Sequence, residues 1–70
     1  MLDSKHAIIH EGDIIRSIVQ DDVRFKVVRI DDAAGSVICL RVNKDGEVYT
    51  REIERTMHGD ALDTWWEVEL

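Results

Sequence analysis

Between Val23 and Asn43 the chain reads VRFKVVRIDDAAGSVICLRVN, and the strongest β-formers lie in this stretch or beside it. Val23, Phe25 and Val27 alternate with Arg24 and Lys26, the period-two pattern of a half-buried strand. At Val27 and Val28 two apolar residues are adjacent, and the apolar set continues as Val28 and Ile30. A slip of one residue sends side chains to the opposite face. Either both faces of this strand are covered, or it carries a bulge that bends it as a small barrel requires.

Asp31-Asp32-Ala33-Ala34-Gly35 has the chemistry of a tight turn. Aspartate accepts bonds from nearby amides, and glycine takes a positive φ without a Cβ clash. On the return strand, Ser36 to Asn43, Ile38, Leu40 and Val42 share one face. Val37, Cys39 and Arg41 share the other. Asn43-Lys44-Asp45-Gly46 predicts a second hairpin turn.

Around this centre the other strands are Ile14 to Val19, Glu47 to Arg55 and Trp65 to Leu70. Thr56 to Thr64 reads as irregular, with Gly59 as a breaker and one short helical or 3-10 turn over residues 60–63, capped by Asp60. Residues 1–10 read as a lead-in, frayed over Met1 to Lys5 and partly disordered. Residues 11–70 form the single domain. The expectation is an all-β chain: a five-stranded antiparallel meander with a short helical turn before the last strand.

At 70 residues such a chain buries only about 60% of its unfolded surface. A single cysteine rules out an internal disulfide staple, so closure into a barrel, a second copy or a partner must supplement the core. The absence of proline suits paired strands. Fifteen acidic against nine basic residues give a formal charge of −6, which works against general adhesion to nucleic acid or anionic lipid. The acids crowd turns, and Arg24, Lys26, Arg29, Arg41, Arg51 and Arg55 lie in the predicted strands. No 18-residue apolar run is present, so no membrane contact is expected. With no secretory pattern at the start and one cysteine, the expected compartment is cytoplasmic.

The order of features resembles an SH3-like small barrel. Gly12-Asp13-Ile14-Ile15 looks like the Gly-Asp-apolar opening of such barrels, followed by two tight hairpins and a short turn before the last strand. The resemblance covers about residues 11–70 and implies a fold, not an activity. Gly12-Asp13, Val28-Arg29-Ile30 and Thr50-Arg51-Glu52-Ile53 are loosely similar to the RNA-binding carbon storage regulators, with different spacing and without that family's N-terminal strand.

No set of residues predicts catalysis or a cofactor. His6 and His10 have the i, i+4 spacing of zinc ligands, with Cys39 and His58 to complete a site. The surrounding sequence does not predict a helix, so the reading is surface histidines and a buried thiol, with no metal. No basic cluster adjoins Cys39 in sequence to lower its pKa, which leaves it as a small apolar filler. The acid pairs Asp21-Asp22 and Asp31-Asp32 belong to turns. No nucleotide loop of the Gly-x-x-x-x-Gly-Lys or Gly-x-Gly-x-x-Gly kind occurs.

Two features remain. In a strand the neighbours Trp65 and Trp66 point to opposite faces. Trp66 joins Val68 and Leu70 in the core, and Trp65, beside Tyr49, is the candidate surface anchor; the competing reading is that Trp65 covers the open end of the barrel. Arg24, Lys26, Arg41 and Arg51 would form a basic face if their strands pair; the competing reading is ion pairing with Glu47, Glu52, Glu67 or Glu69. The expected function is therefore non-enzymatic binding of another protein, or of a second copy through exposed sheet edges. Trp65, Tyr49, Arg41 and Arg51 carry that contact. The alternatives are RNA or single-stranded DNA bound through Arg24, Lys26, Arg41 and Arg51, or an acidic inhibitor that mimics nucleic acid.

Overall fold

The computed structural model describes residues 1–20, 22–49 and 53–69. Five strands form one antiparallel sheet: β1 (Ile14–Ser17), β2 (Arg24–Asp31), β3 (Ser36–Val42), β4 (Arg55–His58) and β5 (Trp66–Val68). The sheet order is β4-β3-β2-β1-β5, so the chain meanders through four strands and then returns the last one to the first. A helix, α1 (Gly59–Trp65), makes that return. This is the all-β, five-stranded antiparallel arrangement with a short helical segment before the last strand.

The central hairpin forms where the alternation places it. Phe25 and Val27 are buried on β2, opposite Arg41 and Cys39 of β3. The register then shifts between Val27 and Arg29, leaving Val28 as the extra residue. This is the bulge, and it has the expected consequence. Ile30 comes back to the core side opposite Val37 and packs against the core. In the first turn Gly35 has φ 66° and donates its N–H to the Asp32 carbonyl at 3.2 Å. In the second Gly46 has φ 83°, and the Asn43 side chain accepts the N–H groups of Asp45 and Glu47 at 2.9 and 3.0 Å.

The core comprises Ile9, Ile15, Phe25, Val27, Val37, Cys39 and Leu62. Trp66 and Val68 pack against it, as the alternation in the last strand predicts. Leu70, expected beside them, lies outside the described residues.

Three expectations need correction. First, β1 stops at Ser17, not Val19, because the Ser17 hydroxyl accepts the N–H groups of Val19 and Gln20 and turns the chain. Second, the fourth strand is Arg55–His58: it starts at the last residue of the expected strand and runs into the stretch expected to be irregular. The better β-formers at residues 47–49 make one isolated bridge, Val48 to Val42. Between that bridge and the Cys39–Arg55 pair, three steps along β3 correspond to seven along the return. Pairing with the far half of β3 sets the strand here, because it lets Met57 reach the core. Third, α1 begins at Gly59, and His58, not Asp60, holds the cap position, without a side-chain bond. Asp60 sits in the first turn, where its charge suits the helix dipole, and fully buried Leu62 anchors the helix.

The N-terminal segment is held in place, contrary to the frayed lead-in expected. Asp3 is 1% exposed. Its carboxylate accepts N–H groups from Lys5 and Ala7 at 2.9 and 2.7 Å, and from Val68 of β5 at 2.7 Å. Ser4 N–H donates to the Trp66 carbonyl at 2.8 Å, and Ile9 is buried in the core. Residues 1–10 therefore cover the β5 edge, one of the two edges expected to be open to a second copy.

Candidate functional site

Strand register decides which side chains can act together. Directly opposed residues of an antiparallel pair share a face. Val68, Ile15, Phe25 and Arg41 therefore form one inward row across β5, β1, β2 and β3. Val27, Cys39 and Arg55 form the next, across β2, β3 and β4. Each row is apolar in the middle and ends in an arginine. Arg24 and Lys26 belong to the alternate positions, opposite Arg16 and Ile14 on β1 and Val42 and Leu40 on β3.

The predicted basic face is therefore split: Arg41 lies on the inner side of the sheet, and Arg24 and Lys26 on the outer. Arg51 lies outside the described residues. On the outer side, ion pairing prevails. Arg24 Nε donates to Glu69 Oε2 at 2.8 Å, and its Nη1 reaches the carbonyls of Asn43 and Lys44 at 3.2 and 2.7 Å. Arg16 bonds Glu67, which also takes Lys5 Nζ at 2.9 Å. Those cations, the Arg16 bond first and then Lys5, hold the Glu67 carboxyl below its ordinary value against the opposing effect of burial.

On the inner side the two arginine ends border a cleft of about 710 Å³. Phe25, Trp66, Met57 and Val23 supply apolar lining, Val19 and Trp65 border it, and Arg41 and Arg55 bring charge. Phe25 and Trp66 meet edge to face, with ring centroids 5.4 Å apart and planes at 75°. The Arg55 guanidinium carbon stands 5.8 Å from the Phe25 ring centroid. Arg41 Nε is buried without a hydrogen-bond acceptor among the described residues.

Trp65 is 51% exposed. The sequence predicted its exposure, but from strand alternation. The actual cause is a junction: Trp65 ends α1 and Trp66 starts β5, so the change of element separates the two indoles. The Trp65 carbonyl accepts the Ile18 N–H at 2.9 Å, tying this junction to the end of β1. Tyr49 is also exposed, and its N–H donates to the Arg41 carbonyl at 3.2 Å. Tyr49 does not line the cleft with Trp65, as expected of the pair, because the return chain carries it along the β3 edge.

Of the residues expected at the contact, the cleft thus unites Trp65 and Arg41. It adds Arg55, Met57, Phe25 and Trp66. Arg41 in phase with Val37 and Cys39 was the visible signal for a charge on the inner face. Arg55 was expected only as the last residue of the fourth strand, and Met57 gave no signal because that strand was placed before it.

The remaining candidate chemistry is placed as follows. Cys39 is fully buried, its Sγ donating to the Arg55 carbonyl at 3.4 Å. Burial pushes its thiol up to about 11, with Arg55 pulling weakly the other way. His6 occupies a left-handed turn position, φ 65°, not a helix. Among the described residues no three His, Cys, Asp or Glu side chains gather into a metal-binding group. Comparison with known proteins finds no matching family model, no matching curated protein and no matching solved structure. The geometry of the cleft therefore carries the functional reading alone.

Proposed function

We propose that this chain is an SH3-like barrel that binds a segment of another protein in the cleft beside Trp65 and carries out no chemistry itself. The strand order, with β5 returning to β1 after a helical segment, supports the SH3-like assignment. The observation that carries the binding role is the half-exposed Trp65 at an open cleft lined by Phe25, Trp66 and Met57. Aromatic side chains next to apolar pockets are where contact energy concentrates in protein interfaces. The buried, raised-pKa thiol of Cys39 supports a filler role over a nucleophilic one.

The test compares proteins retained by the immobilised chain, by Trp65→Ala and by Lys26→Ala on the outer face. A partner kept by the parent chain and Lys26→Ala but lost from Trp65→Ala supports the cleft. Retention of every partner by Trp65→Ala contradicts it.

A further inference from the structure

Resting on that reading of the cleft, we infer that its occupant is an acidic segment, in which a carboxylate side chain meets Arg41 and a neighbouring apolar side chain lies against Trp65 and Met57. In a chain of net charge −6, Arg16, Arg24 and Arg29 each have a carboxylate partner, in Glu67, Glu69 and Glu54. The two arginines that border the cleft have none among the described residues. Arg55 lies over the Phe25 ring, and Arg41 Nε is buried with its donor unused.

An unused buried donor is costly, and more so on a charged group. In Arg41 that cost is already present in the free chain. A carboxylate entering the cleft therefore meets a partly desolvated guanidinium held beside apolar walls, where charge-assisted bonds are stronger than in water. The apolar lining requires that the carboxylate come with hydrophobic neighbours. A free acid would leave Trp65 and Met57 uncovered.

A nucleic-acid strand satisfies these features less well. Single-strand binding uses a track of cations along the backbone with stacked bases. Here Arg24 and Lys26 lie on the opposite face of the sheet from Arg41 and Arg55, so these cations do not line up along the cleft. A short acidic peptide needs only the one or two cations that the cleft presents.

The experiment titrates the full ¹⁵N-labelled chain with a capped peptide alternating glutamate and leucine, with its twin carrying glutamine at each glutamate, and with a deoxythymidine decamer. The expected result is a shift of the Trp65 indole N–H and the Arg41 side-chain signals with the glutamate peptide. Its affinity should exceed that of the glutamine twin roughly tenfold, the scale of one hydrogen bond to a charged group. Arg41→Gln should abolish the difference between the peptides, and Lys26→Gln should preserve it. The two-peptide comparison needs no variant, so it stands even if Arg41→Gln fails to fold. Equal binding of both peptides in the cleft overturns the acidic preference and leaves the protein-binding reading intact. Cleft signals unmoved by either peptide overturn both. Tighter cleft binding of the decamer overturns the inference in favour of phosphate.

Discussion

Asp3 accepts the backbone N–H of Val68 at 2.7 Å across a sequence separation of 65 residues. A side chain near the start of the sequence thus fills a backbone position on the last strand. The same carboxylate accepts Lys5 and Ala7, so one buried group closes the N-terminal turn and attaches it to the β5 edge. Removing it as Asp3→Ala leaves three N–H donors without their acceptor. The expected loss is about 1–3 kcal/mol, or a fall in Tm on the order of 10 °C for a domain this small, read by calorimetry.

The pH dependence follows from the same group. Burial works to raise the Asp3 pKa, but the three N–H donors, Val68 first, together bring it below the ordinary value. A carboxyl lowered in the folded state contributes stability that is full above its unfolded pKa and lost as pH falls through the folded one. Glu67 is shifted in the same direction. Stability should therefore decline only below about pH 4, and the Lys5, Ala7 and Val68 amides should lose protection there. Asp3→Asn should flatten this acid limb in urea titrations taken at a series of pH values.

Much of the central hairpin was legible, because the residues that make it act locally. Alternation of Phe25 and Val27, the adjacent Val27-Val28 pair at the bulge, and Gly35 in the turn each report their own backbone. The fourth strand was not legible. Strand propensity favours residues 47–49, yet Arg55–His58 pairs because the free length of β3 and the reach of Met57 to the core decide it. The N-terminal segment was missed for a similar reason: an aspartate in a polar opening stretch gives no sign that its partner is Val68. At the site, Arg41 was visible from periodicity and Trp65 through an alternation that is not the cause of its exposure, whereas Met57 lay beyond the predicted strand.

Gly35 offers a test of the turn alone. Its φ is 66°, and a Cβ there would meet nothing within 4 Å. The cost of Gly35→Ala is then purely that of the left-handed backbone, about 1–2 kcal/mol. Gly35→Asn should recover part of it, since asparagine tolerates this region better. Urea midpoints of the three proteins should fall in the order Gly, Asn, Ala.

Cys39 should be almost inert in the native chain. It is fully buried, and burial raises its thiol to about 11. At pH 8 little of it is thiolate, and the aromatic disulfide reagent that reports free thiols should react slowly. In denaturant the same thiol should react at the rate of an ordinary cysteine. Rapid native reaction would mean that the Val27–Cys39–Arg55 row opens readily.

Breaking the outer Arg24–Glu69 pair should have a small effect. Glu69→Gln is expected to change stability by about 0.2–1 kcal/mol and to leave peptide binding in the cleft unaltered. Arg24 lies on the opposite face of the sheet from Arg41. Chemical denaturation and the peptide titration check the two halves of this expectation.

The contact surface exists only if the junction of α1 and β5 separates the two indoles, with Trp66 packed edge to face on Phe25 and Trp65 open at the cleft. Acrylamide quenching of the single-tryptophan variants Trp65→Phe and Trp66→Phe measures that separation. The prediction is strong quenching and red-shifted emission when Trp65 alone remains, and weaker quenching with blue-shifted emission when Trp66 alone remains. Equal quenching of the two, or the reverse order, would contradict the assignment of Trp65 to the cleft and the contact surface built on it.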